Sequence, residues 1–144
     1  MAGTIQTRHA GTRDRRAFAQ FDPHMNADLA RRALIDAAIA ARRFWVAERA
    51  GQVTGYGVLT KHFFHRDFIE LVYVAEDARR GGAGGALLSA MERAVSADRV
   101  FTSTNESNAP MRALLEKRGY EPSGRIENLD PGNPELVFVK FLRG

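Results

Sequence analysis

The stretch Val74-Ala75-Glu76-Asp77-Ala78-Arg79-Arg80-Gly81-Gly82-Ala83-Gly84-Gly85-Ala86-Leu87-Leu88 puts four glycines into five positions, between a β-prone run and a helix-prone one. Without Cβ atoms the backbone can turn sharply and approach a ligand closely. Where such a turn opens a helix, its N–H groups and the positive helix end favour a bound anion such as phosphate. Arg79 and Arg80 add formal positive charge at the same place. A P-loop is excluded because no Lys-Ser or Lys-Thr follows the glycines, and the dinucleotide fingerprint because Leu87 holds its third glycine position. A ligand-free glycine turn is the plain alternative. What remains is Arg-x-x-Gly-x-Gly, five residues after a strand valine and just before a Leu-Leu helix.

Upstream, Phe68-Ile69-Glu70-Leu71-Val72-Tyr73-Val74 is almost continuously apolar and β-prone, as expected of a central strand covered on both faces. Only Glu70 interrupts it. The strand period of two puts Glu70 on the same face as Val74, and a carboxylate in such a run is expected to be desolvated, with its pKa raised. Residues 44–49 and 53–61 flank Ala50-Gly51-Gln52 and predict a hairpin, followed by a loop at 62–67. Residues 4–9 predict a short first strand, and residues 13–21 a helix ending before Pro23. Asn26 is a good N-cap for a helix over 27–41. Downstream, the pattern predicts helices at 84–96 and 108–118, the second closed by Gly119. Strands are predicted at 99–104, 120–128 and 135–142. The sum is an α+β fold of three α/β/α layers, with a mixed, mostly antiparallel sheet of seven strands and four helices.

At 144 residues, with 44% hydrophobic and 26% charged residues, the chain is expected to form one domain spanning 1–144. The absence of cysteine excludes disulfides, a thiolate nucleophile and a Cys-rich zinc site. Residues 1–10 lack the apolar stretch of a signal peptide, and no run reaches the roughly 18 apolar residues of a membrane span, so a cytoplasmic location is expected. A charge of +4 and a pI near 10.0 invite an anionic partner. However, Arg13, Arg15, Arg16, Arg31, Arg32, Arg42 and Arg43 are spread over several segments with carboxylates between them, which reads as solvated surface rather than a nucleic-acid face. His62 and His65 lack a clear third ligand, so no metal is expected.

The glycine turn, with Val74, Arg79, Gly82, Gly84, Leu87 and Leu88 in register, resembles motif A of the GNAT superfamily of acyl-CoA-dependent N-acetyltransferases, which wraps the pyrophosphate of acyl-CoA. A second landmark of that family is matched in spacing by Asn108-Ala109-Pro110-Met111-Arg112-Ala113-Leu114-Leu115-Glu116-Lys117-Arg118-Gly119-Tyr120, and Val53-Thr54-Gly55-Tyr56-Gly57 is similar to its second hairpin strand. The resemblance implies acetyl-CoA as co-substrate, held by Val72, Tyr73, Val74, Arg79, Arg80, Gly81, Gly82, Ala83, Gly84, Gly85, Asn105 and Asn108. It implies direct attack by an amine of a small molecule or peptide, with the oxyanion held by the backbone N–H at Val74. The ammonium must first lose a proton, for which Glu70 is the candidate base. A carboxylate paired with arginine, or one that only binds the substrate cation, is the plain alternative. The family layout also sets loop 62–67 beside the acceptor pocket, and a homodimer is common in it.

One departure stands against these matches. Leu115 occupies the position where the family usually has a tyrosine that serves as general acid to the CoA thiolate. Tyr120, Ser107 or water would have to replace it, or the thiolate would leave unassisted, which a thiol pKa of about 8.5 permits. Core packing for Tyr120 and helix capping for Ser107 are the ordinary alternatives. A non-catalytic acyl-CoA-binding or sensing module is therefore the second reading, and a nucleic-acid binder, supported only by the pI, the third.

Overall fold

The structure is a computed structural model that describes residues 3–22 and 27–142. Strand β1 (Ile5–His9) leads through a 3-10 turn at Thr12–Asp14 into helix α1 (Arg15–Phe21). Helix α2 (Leu29–Ala40) is followed by β2 (Phe44–Arg49), β3 (Gln52–Phe63) and β4 (Arg66–Val74). A second 3-10 turn, Glu76–Ala78, precedes α3 (Ala83–Ala94), and the chain ends with β5 (Arg99–Asn105), α4 (Ala109–Lys117), β6 (Glu121–Ile126) and β7 (Glu135–Phe141). The seven strands form one sheet in the order β1-β2-β3-β4-β5-β7-β6, antiparallel throughout except where β4 meets β5. Among the described residues no helix is long and apolar enough to cross a membrane.

Two cores lie on opposite faces of the sheet. On one, Phe18 of α1 and Ile35 and Ala38 of α2 bury Phe44, Val46, Tyr56 and Val58. On the other, Leu87, Leu88 and Met91 of α3 and Leu115 of α4 pack on Leu59, Ile69, Val100 and Phe138. The helix periodicity read from the sequence thus produces the three expected layers. Gly57 lets α3 come this close, since a Cβ there would lie 2.5 Å from Cε of Met91.

The loop expected at 62–67 is instead mostly strand. Strand β3 continues to Phe63 and β4 begins at Arg66, which leaves only Phe64 and His65, with φ of 53° and 62°, to turn the chain. Phe63 stacks on Phe68 at 5.1 Å and meets Phe101 at 5.1 Å, so aromatic packing extends the pairing. Helix α2 is capped by Asp28, whose Oδ1 accepts the Arg31 N–H at 3.1 Å; the expected cap Asn26 lies outside the described residues.

The N-terminal strand is tied down by charge. Arg8 donates to both oxygens of Asp14 at 2.8 and 3.0 Å, and the Gly11 amide donates to Asp14 Oδ2 at 2.8 Å. Burial alone would raise the Asp14 carboxyl, but these bonds outweigh it and hold the carboxyl below its ordinary range. A group depressed on folding contributes stability above its unfolded pKa and loses that contribution as pH falls through the folded one. Asp14→Asn is therefore expected to cost about 2 kcal/mol at neutral pH. The difference in Tm from the parent protein should shrink below about pH 4.

Candidate active site

Strands β4 and β5 separate almost as soon as they meet. Their parallel pairing is confined to Phe68 with Phe101 and Ile69 with Thr102. At the last rung the buried Thr102 hydroxyl donates to the Ile69 carbonyl at 2.8 Å. Immediately beyond it, Val58 and Leu59 of β3 pair with Leu71 and Ile69, which leaves Glu70 as an extra, unpaired residue. This β-bulge bends β4 away from β5. The Ala75 amide donates to the Thr54 carbonyl of β3, so by alternation the N–H groups of Val74 and Val72 point to the other side, into the gap that β5 has left. The full coverage expected of the 68–74 strand is consequently not found: from Glu70 to Val74 the strand is only half-buried.

The gap leads to the glycine turn. Arg80 has φ 71°, and Gly82, the residue preceding α3, has φ 94°, a left-handed conformation for which glycine carries no steric cost. No side chain caps α3. Its first intrahelical amide bond runs from Ala86 to the Gly82 carbonyl at 3.0 Å, which leaves the amides of Ala83, Gly84 and Gly85 as helix-end donors. Arg79 donates to the Val74 carbonyl at 3.1 Å and lies over the Tyr73 ring. Two further cations, invisible to a local reading, arrive from distant elements: Arg49 of β2 donates to the Gly81 carbonyl at 2.8 Å, and Arg118 lies against Gly85. A helix end without a cap, ringed by Arg49, Arg79, Arg80 and Arg118, suits a polyphosphate. The glycines are not equivalent, however. A Cβ on Gly84 would press on Leu114 at 3.0 Å, so Gly84 serves helix packing, whereas Gly82 forms the turn itself.

Glu70 does not share a face with Val74. The bulge reverses the parity of the strand, so that Val72 and Val74 join Ile69 against the α3 core while Glu70 turns to the α2 side. There Thr60 donates to Glu70 Oε1 at 2.9 Å, and Nδ1 of His62 lies 2.7 Å from the same oxygen. Its burial is partial: the Glu70 side chain is 27% exposed. Thr60 and His62 line a cleft of about 330 Å³, walled by Leu34, Ala37, Ala38 and Ala41 of α2 and closed by Leu59, Arg43 and Lys61. Among the described residues no group of three potential ligand side chains gathers around a metal position.

The other anticipated residues are placed as follows. The Asn108 side chain caps α4 by accepting the Met111 amide at 3.2 Å. Asn105 is turned to β7, donating to Glu135 at 3.1 Å and to Asp130 at 3.0 Å, and so does not bridge the gap. Ser107 is bound through both its amide and its hydroxyl to Asn133. Leu115 is fully buried in the α3 core. Tyr120 is buried and donates to Glu92 at 2.8 Å; burial first, then the charge of Glu92, push its pKa upward and make it a poor proton donor at neutral pH. Tyr120→Phe is accordingly expected to lower stability by about 1 kcal/mol through the lost bond to Glu92, whose carboxylate keeps Lys140 at 3.1 Å. Steady-state assays should find kcat within about twofold of the parent, since general-acid removal would cost far more. Sequence reasoning missed a buried constellation beneath α2: Tyr56, the fully buried Asp22, and Arg31, which pairs with Asp22 at 3.0 Å and donates to the Tyr56 hydroxyl. These partners meet only in the folded chain, so no local signal marked them.

The pattern of the Acetyltransferase (GNAT) family matches residues 12–120. The chain belongs to that family. A GNAT-family acetyltransferase from Bacillus cereus superposes with a TM-score of 0.88 at 29% identity, covering 96% of this chain and 98% of that one. The structure of yncA from Salmonella typhimurium, solved with its cofactor acetyl-CoA, shares the fold with a TM-score of 0.73 at 21% identity, over 96% of this chain and 94% of that one. "Probable N-acetyltransferase Rv2775" of Mycobacterium tuberculosis is 36% identical over 90 residues, 60% of this chain. The chain spans about half the length of that relative, 51% of which is covered.

Proposed function

We propose that this protein transfers the acetyl group of acetyl-CoA directly to a primary or secondary amine. The observation that carries the reading is the order of groups along β4 and into α3: the Glu70 carboxylate, then the outward amides of Val72 and Val74, then the uncapped start of the helix. The pyrophosphate sits at the amides of Gly82 to Gly85 with the arginines around it, and the pantetheine arm enters the gap between β4 and β5.

Distances along the strand assign the amides. At about 3.3 Å per residue, Val74 lies about 13 Å from Glu70 and Val72 about half as far. The Val72 N–H therefore suits the reacting carbonyl, and the Val74 N–H the pantetheine arm. Glu70, with His62 bonded to it, takes the proton of the acceptor ammonium. The freed nitrogen attacks the thioester carbon, and a C–N bond forms while the Val72 N–H holds the developing oxyanion. Collapse breaks the C–S bond and CoA leaves as a thiolate, while the nitrogen, cationic in the tetrahedral adduct, sheds its second proton through water to that thiolate; Glu70 returns the first proton to solvent. With a thiol pKa of about 8.5, this needs no tyrosine at position 115.

Burial of Leu115 where the family usually has that tyrosine favours a second reading, a non-catalytic acyl-CoA-binding module. Calorimetric titration with acetyl-CoA and desulfo-CoA, followed by an amine panel scored for thiol release, separates the two. Micromolar binding with amine-dependent thiol release is the expected result. Binding with no release across the panel selects the binding module, and no binding by folded protein overturns both.

A further inference from the structure

We infer that the acceptor is a primary amine carrying an aromatic or long alkyl group, which lies on a shelf of phenylalanine rings beside Glu70. This rests on the acetyl-transfer reading and names the substrate class of the same site. The order of groups along β4 continues on the other side of the carboxylate. Ile69 packs into the α3 core, so alternation puts Phe68 on the α2 side of the sheet, the face that Glu70 takes. One strand period, about 7 Å, separates the two. Phe101 pairs with Phe68 across the parallel contact, and its neighbour Val100 lies in the α3 core, which turns Phe101 to the same face as Phe68.

Phe63 completes the shelf, its ring 5.1 Å from each of the others. Among the described residues these three half-buried rings belong to neither core of the sheet, and α1 and α2 cover this face over β2 and β3 instead. At the tip of the hairpin, Phe64 packs edge-on against Phe63 at 5.0 Å and is itself 81% exposed. Its φ of 53° belongs to a turn in which Asn or Gly is the usual occupant. An amine with a short tail would satisfy Glu70 and leave this surface in water. One with a ring or several methylene groups sets its ammonium at Glu70 and its tail on Phe68 and Phe101, on the side away from Val72. That removes apolar area of both partners from water.

The test compares 4-phenylbutylamine and hexylamine with ethylamine, amines of similar basicity, by thiol release from acetyl-CoA. The two larger amines are expected to have kcat/KM about thirtyfold above ethylamine, the scale of one apolar side chain withdrawn from water. That ratio should persist in Phe68→Leu and fall by about fivefold or more in Phe68→Ser. Ethylamine used as well as the larger amines, or a preference that survives Phe68→Ser, would overturn the inference while leaving acetyl transfer itself established. Sedimentation reads the alternative occupant: a dimer that Phe68→Ser dissociates, with the amine preference unchanged, would give the shelf to a second copy of the chain and overturn the inference. Calorimetric titration of the same amines into the CoA-saturated parent protein reads the preference without turnover, and decides the matter if Phe68→Ser does not fold. Tighter binding of the larger amines with no thiol release would support this ligand class and count against acetyl transfer; equal or absent binding would overturn the inference.

Discussion

Gly82→Asp is expected to weaken acetyl-CoA binding by about two orders of magnitude, or about 3 kcal/mol, with the fold retained. Gly82 stands immediately before α3, where no side chain occupies the helix-end amides. An aspartate there sets a negative charge beside those amides and repels the incoming phosphates. The left-handed backbone, φ 94°, costs an aspartate about 1 kcal/mol of stability. Gly82→Asn separates the contributions, since it bears the same backbone cost without the charge and should lose less affinity. Calorimetry with acetyl-CoA measures all three proteins, and equal Tm values of the two variants establish that charge rather than folding is read. Affinity within a few-fold of the parent for Gly82→Asp would move the pyrophosphate away from this helix end. Gly84 is the wrong position for such a test: its missing Cβ is filled by Leu114, so a substitution there disturbs the α3–α4 contact before it meets any ligand.

The second large effect is on turnover. Glu70→Gln should lower kcat by about a hundredfold or more, the usual cost of losing a general base, with acetyl-CoA affinity unchanged. The amide retains size and can still bond Thr60, so the loss reports on proton transfer rather than shape. His62→Gln should lower kcat less, because His62 reaches the reaction through the same Glu70 oxygen, 2.7 Å away. Rates for Glu70→Gln that recover as pH rises, when more of the amine is already neutral, would agree with a base role. A pH-independent loss confined to acceptor KM would instead make Glu70 a cation-binding residue.

Much of this site could be read from the residues because its chemistry is local. Left-handed φ at Gly82, the start of α3 and the apolar face of Leu87 and Leu88 follow from sterics and helix period within a dozen positions. The Asn108 cap and the closing Gly119, φ 89°, were legible for the same reason. The loop expected at 62–67 is a tight turn because Phe63 packs on both Phe68 and Phe101, and Phe101 lies more than thirty residues away. Glu70 was found as an anomaly of composition, a carboxylate in an apolar run. Its surroundings were not, since a continuous apolar stretch carries no alternation from which a register slip could be detected.

The sequence by itself determined the order of strands and helices along the chain, the glycine-rich turn between β4 and α3, and membership of a recognisable family. Only the tertiary structure decided which face Glu70 takes, that β4 and β5 part after two rungs, that Asn105 serves β7, and that Arg49 and Arg118 join the turn. Backbone conformation responds to the nearest few side chains. The parity of a bulged strand and the partners of a charge depend on which distant segments come to lie beside it, and that is settled when the chain packs.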